Sequence, residues 1–261
     1  MMDLEPIRSF LLQYGVCIVR LTAACSIVPF MSNQMLPGRL RNSILFALGI
    51  TVYPIVAPTL DLSGETSVDI VAIIVKEIVI GILIGFVAAK VFFVALGVGF
   101  FIDNQRGASM ASAMDPASGE QTSPLGNFLN QAVICLFYTS GGFLAFMTLM
   151  FESYVIWPVD EYFPSFNDAY PSFFLGVVDD LMATIVLFAA PVVITVFVSE
   201  FGLGLMNRFA PQMNVFSLSM PVKSLVAMTV LIFYLPFLMY YFGEKSQQSR
   251  GSLALFESFL Q

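Results

Sequence analysis

Six long apolar segments, at roughly 7–29, 41–60, 68–102, 124–151, 173–200 and 222–242, leave only short polar stretches between them. Each reaches the ~20 residues that a helix needs to cross a bilayer. Lipid offers no water to backbone N–H and C=O groups, so such a segment must satisfy them within itself, as a helix. The alternative, a water-soluble globule, fails on composition. Of the 261 residues, 58% are hydrophobic and 11% charged, whereas soluble domains have about 45–50% and about 25%. A globule of this size has no interior large enough to hide so much apolar surface. The expected fold is therefore an all-α integral membrane protein, with about six long, partly broken hydrophobic helices arranged as hairpins.

Composition also removes whole classes of chemistry. The chain contains no histidine, so His-based acid–base catalysis, catalytic triads and His metal sites are excluded. The net charge of −7 gives no basic patch for nucleic acid. Cys17, Cys25 and Cys135 all lie in apolar segments without ligand spacing, which reads as packing and neither as a disulfide frame nor as a metal site. No catalytic residue, metal ligand or cofactor site is expected. An intramembrane enzyme would need a carboxylate pair or a Ser–Lys pair, and the adjacent Asp179 and Asp180 would point about 100° apart on a helix. The run before Cys25 faintly resembles a lipoprotein cleavage box, but Asp3 and Glu5 spoil the positive start and the apolar run continues. A retained membrane segment is expected there.

Several features do not suit a plain bundle. Segment 68–102 would be ~52 Å long as a helix, well beyond the ~30 Å hydrocarbon core. Arg20, Lys76, Glu77, Lys90 and Glu200 lie in or at the ends of apolar segments, and Pro54, Pro191 and Pro236 interrupt others. Either the charges snorkel and the prolines kink ordinary spans, or these helices mostly touch protein or an aqueous path. Lys76 and Glu77 are neighbours that need not pair, so partners on other helices or chains are expected. By the positive-inside rule, Arg39 and Arg41 put the first loop in the cytoplasm, along with the third and fifth. Both termini would then lie outside.

Two packing signals are legible. Gly81, Gly85 and Ala89 recur every fourth residue, a small-residue face for close helix contact. Asn127, Asn130 and Gln131 share one face of the fourth segment, where they either bond a neighbouring helix or line a pore. Ser123 before Pro124 reads as an N-cap followed by a first-turn proline.

Between the third and fourth segments lies a polar insert, residues 103–123, rich in Ala, Ser, Gly and Met. By composition it is a solvated connector, with small residues for close backbone approach and Arg106 as a multidentate donor. The run Ile102-Asp103-Asn104-Gln105-Arg106-Gly107, with Met114-Asp115-Pro116-Ala117-Ser118-Gly119 and Thr122-Ser123-Pro124 after it, resembles the T component of bacterial type III secretion export gates. This is the SctT family, whose flagellar relative is FliR. A second run, Arg208-Phe209-Ala210-Pro211-Gln212-Met213-Asn214-Val215-Phe216, continuing to Pro221-Val222-Lys223, is also similar to that family. Length and hydropathy match over essentially the whole chain, and the first run is more similar to the injectisome, or virulence, branch than to the flagellar one.

The resemblance implies a single export-gate membrane domain over 1–261, with an R-like part at 1–151 and an S-like helical hairpin part at 152–261. It implies partners: the R and S export-gate proteins, the U switch protein, needle and inner-rod components, and unfolded protein substrates. It implies a place in the bacterial inner membrane, extending into the periplasm within the secretion basal body. It implies a plug or gating loop carrying Asp103, Asn104, Gln105, Arg106, Gly107, Met110, Met114, Asp115, Pro116 and Gly119. It also implies a cytoplasm-facing turn that carries Arg208, Pro211, Gln212, Met213, Asn214, Phe216 and Lys223, and this turn is expected to dock the switch protein. Pro211 and Pro221 argue against a continuous helix across that turn. The expected function is gating and forming the entry channel for secreted substrates, in the injectisome branch. The flagellar counterpart and a small-solute or ion transporter are the alternatives, the latter suggested by the intramembrane charges.

Overall fold

Helix length is the first departure from an ordinary bundle. The computed structural model of the chain describes residues 5–32, 35–58, 60, 67–108, 123–160, 169–209 and 215–248. Among them are seven α-helices and no strand: α1 (Glu5–Ile27), α2 (Gly38–Val56), α3 (Ser67–Arg106), α4 (Pro124–Thr139), α5 (Gly142–Ile156), α6 (Ala169–Phe209) and α7 (Val215–Gln248). With 40, 41 and 34 residues, α3, α6 and α7 are about 50–60 Å long. Helices α1, α3, α6 and α7 are long and apolar enough to cross a membrane, and α4 with α5 would add a fifth crossing if they form one bent span.

Three sequence expectations change. The fourth segment is two helices, interrupted at Ser140 and Gly141. Gly141, at φ +79°, adopts the left-handed conformation that ends helices at little cost only in glycine. The 19-residue α2 lies outside the group of candidate spans. Arg39 and Arg41 lie in its opening turns, so it is less apolar than the others. A loop-by-loop alternation that assumes six crossings therefore does not assign the termini. Finally, α3 continues to Arg106, so Asp103, Asn104, Gln105 and Arg106 are helical and not part of a loop. The chain leaves the helix at Gly107, with φ +81°, whose N–H bonds to Asn104 O at 3.1 Å.

Prolines do not end the helices that contain them. Pro54, Pro191, Pro221 and Pro236 all lie within helices; across the 208–223 turn, α6 ends at Phe209 and α7 begins at Val215. A proline inside a membrane helix leaves carbonyls that side chains can re-satisfy. The Thr195 hydroxyl donates to the Pro191 carbonyl, the i−4 bond that helical threonines and serines commonly make.

The chain forms two compact units. The first comprises residues 1–90, 141–175 and 247–261. Within it α1 and α2 are an antiparallel hairpin, because contacts fall along one helix as they rise along the other: Phe10 meets Tyr53, while Gly49 faces Ile18. Their shared core includes Val16, Cys17, Val52 and Val56, with Ile73 of α3 and Tyr154 of α5. The second unit comprises residues 91–140 and 176–246. There α6 and α7 form a second antiparallel hairpin, with Phe188 against Tyr241 at 4.2 Å between ring centroids and Glu200 paired to Lys223 at 3.1 Å. Leu187, Phe201, Ile232 and Phe233 of this hairpin are more than 60% exposed. Such faces suit lipid or neighbouring subunits and do not suit water.

Candidate functional site

A helix leaves its last carbonyls and its first N–H groups without partners. Each unit contains a charged cluster built on one of these two ends.

In the first unit the end is the C-terminus of α5. Arg20 of α1 donates from Nη1 to the Ser153 carbonyl at 2.6 Å and from Nη2 to the Trp157 carbonyl at 2.8 Å. Its Nε and Nη2 also clasp both carboxylate oxygens of Glu77 at 2.7 and 2.9 Å. Lys76 donates to the carbonyls of Val159 at 2.8 Å and Pro158 at 3.2 Å, and it pairs with Glu77 at 3.2 Å. The guanidinium also lies 4.2 Å from the centre of the Tyr154 ring. Cations fit here because carbonyl oxygens and the negative end of the helix dipole converge. Arg20, Lys76 and Glu77 are 0–1% exposed. The expected partners on other segments are present, but Lys76 and Glu77 also pair with each other. Of the charges that suggested a transporter path, Arg20, Lys76 and Glu77 are closed onto protein groups. The sequence reading missed Ser153 and Trp157, which contribute mainly through backbone carbonyls that no side-chain pattern reveals.

The small-residue face lies beside this cluster. A Cβ added to Gly85 would be 2.6 Å from the Ala24 carbonyl oxygen, and one added to Gly81 would overlap the Arg20 carbonyl. Both glycines thus face the backbone of α1. Ala89 is fully buried.

In the second unit the end is the N-terminus of α4. Ser123 is extended and accepts the Gly126 N–H on its hydroxyl at 2.9 Å, as the Ser-Pro signature predicts. Pro124 has no N–H to satisfy. The remaining N–H, that of Leu125, is taken by Asp103 of α3 at 3.0 Å, and the same Oδ2 accepts the Ser123 hydroxyl at 2.6 Å. The other oxygen, Oδ1, accepts from Arg106 Nε at 2.8 Å and is ion-paired with Nη2 at 2.7 Å. Asp103 lies in the last turn of its own helix, where a negative charge is disfavoured. It is held there because it caps the start of another helix. Gly99 and Gly126 let the two backbones touch: a Cβ on Gly126 would be 2.9 Å from the Leu96 carbonyl. Asn104 is exposed and Gln105 half-buried. Met110, Met114, Asp115, Pro116 and Gly119 lie outside the described residues.

Among the residues expected at the docking turn, Arg208 is exposed in the last turn of α6. Phe216 lies in α7, where Lys223 reaches Glu200. Pro211, Gln212, Met213 and Asn214 lie outside the described residues. On α4, Asn127 and Gln131 are exposed, and Asn130 Oδ1 is buried without a hydrogen-bond partner among the described residues. No cluster of metal-binding side chains occurs among the described residues.

Long apolar helices, exposed apolar faces and a buried, internally paired charge cluster define a multi-pass, all-helical membrane protein whose polar groups hold helix ends. The chain belongs to the bacterial export proteins, family 1, whose family model matches residues 11–249, and to the type III export-gate T proteins within it. It is 41% identical over 233 residues to the Yop proteins translocation protein T of Yersinia pestis, covering 88% of each chain. It is 33% identical to the surface presentation of antigens protein SpaR of Salmonella typhimurium, over 79% of this chain and 76% of that one. Similarity extends to the flagellar biosynthetic protein FliR of Bacillus subtilis, 27% identical over 88% of this chain and 86% of the relative. The chain is thus a type III secretion export component related to FliR.

Proposed function

We propose that the chain is a structural and gating subunit of the export gate. In this reading it forms the inner-membrane entry channel for unfolded secreted proteins together with the R and S gate proteins, beside the U switch protein. The observation that carries it is the match along most of the chain to the Yop translocation protein. The higher identity to that protein and to SpaR than to FliR favours the injectisome branch. The family offers no support for a transporter acting alone. The exposed apolar faces of α6 and α7 support a chain that works among neighbours in the membrane. The R-like part at 1–151 and S-like part at 152–261 belong to this proposal, as do a location reaching into the periplasm and the docking of the 208–223 turn on the switch protein. The insert at 103–123 is proposed to close the channel at rest, a reading that its Gly, Ser, Ala and Met content between two apolar helices supports.

The test has two arms. A tagged chain, purified in mild detergent, is expected to retain the R- and S-type gate proteins, and recovery of this chain alone overturns the subunit reading. Deleting residues 109–119 is expected to make the assembled gate leak small ions. Normal assembly with unchanged conductance overturns the closure reading.

A further inference from the structure

We propose that the amide face of α4 docks one helix of a partner subunit, and that this helix carries amide or hydroxyl side chains among apolar ones. The inference rests on the subunit reading above and adds the face and the chemistry of what covers it. Helix α4 has two sides within its own unit. One packs against α3, where Gly126 approaches the Leu96 carbonyl and Phe137 meets Phe92 at 5.2 Å between ring centroids. On the other, Asn127, Gln131 and Cys135 follow one another every fourth residue and are exposed, with Phe128 52% and Tyr138 46% exposed beside them. Asn130 borders this side, its Oδ1 buried without a hydrogen-bond partner among the described residues. The amides are the most polar side chains of an uncharged, largely apolar helix. Each offers two donors and an acceptor, and lipid tails satisfy neither. A water-filled path would satisfy both but would leave Phe128 and Tyr138 against water on the same side. A helix with polar groups set among apolar ones serves the amides and the rings together, as in membrane helix pairs. Asn127 and Gln131 are one turn, about 6 Å, apart along the axis, so the partner's polar groups lie at that spacing.

The experiment uses Cys135 as the reporter, since Cys17 and Cys25 are buried. Its labelling is measured by mass after unfolding, in membranes that hold the complete gate and in membranes that hold this chain alone. One reagent is a lipid-soluble maleimide and the other a small charged thiol reagent. The maleimide is expected to label the chain alone, and labelling by both reagents is expected to be lost in the complete gate. Labelling of the complete gate by the charged reagent would make this side a water-filled path. Equal labelling by the maleimide in both membranes would leave it against lipid. No labelling in either would mean that the chain covers this side itself, and a dimer of this chain linked through Cys135 on oxidation would put a second copy there. Each of these four results overturns the inference. Asn127→Leu combined with Gln131→Leu tests the chemistry. The Tm of the chain alone is expected to hold, while the share recovered with the gate falls about tenfold on losing two interhelical hydrogen bonds. Full recovery overturns the role of the amides. If the double variant does not fold, the labelling of Cys135 in the wild type carries the test. A wild-type chain that retains no gate protein overturns the subunit reading; one that retains them with Cys135 still reactive overturns this inference alone.

Discussion

Glu77 and Asp103 lie on the same helix, both are buried and both bind an arginine, yet they do different work. Glu77 faces two cations, Arg20 and Lys76, whose remaining donors are spent on carbonyls at and beyond the end of α5. Asp103 faces one cation and spends its remaining capacity on the donors that open α4. The polarity of the nearby helix end decides which sign of side chain belongs there. One cluster is closed on every side and joins packed helices. The other joins the two ends of a connecting segment, and the Arg106 side chain keeps 12% exposure.

Four substitutions break or sharpen that contrast. The largest effect is expected for Glu77→Leu, which leaves Arg20 and Lys76 buried together without an anion. Removing one partner of a buried pair costs about 3–5 kcal/mol, so thermal unfolding in detergent should show a large drop in Tm. Replacing Arg20 and Lys76 by methionine as well should recover part of the loss. An unchanged Tm in the single variant would show that the cluster is not a staple.

Asp103→Ala is expected to act locally and less strongly, at about 1.5–3 kcal/mol for hydrogen bonds to a charged group. Hydrogen exchange should accelerate at the Leu125 amide while α1 amides stay protected. Equal acceleration in both units would mean that the two clusters act alike. Gly85→Leu forces a side chain into the α1 backbone and should lower assembly yield, since overpacking costs about 1–3 kcal/mol. Full assembly would mean that α1 can move away from α3. Lys223→Gln is expected to matter least. Glu200 is 48% exposed, and pairs of that kind in water contribute about 0.2–1 kcal/mol. A measured loss above about 3 kcal/mol would place this pair in apolar surroundings, as with Glu77.

Much of the fold was legible. Apolar runs long enough to span a bilayer dictate helices because lipid leaves the backbone no other partner. The family runs around Asp103–Gly107 and Arg208–Lys223 were readable as strings. Ser123–Pro124 marked the start of α4 because capping is a local property of adjacent residues. The Ser140-Gly141-Gly142 break was also present as a Gly-Gly signal, but the continuous apolar character around it concealed it. The extent of α3 misled for the complementary reason. Propensity marks weak points, and packing within a long apolar helix can override them.

The sequence by itself determined the material: helical, membrane-bound, without histidine chemistry, and of the export family. Only the tertiary structure decided the partners of its charges. Arg20 and Glu77 are 57 positions apart, and Asp103 and Leu125 are 22 apart. Several of the groups that complete these clusters are backbone carbonyls and N–H groups, which every residue possesses. A sequence shows that a buried charge needs compensation, but which backbone atom supplies it depends on where helices end in space.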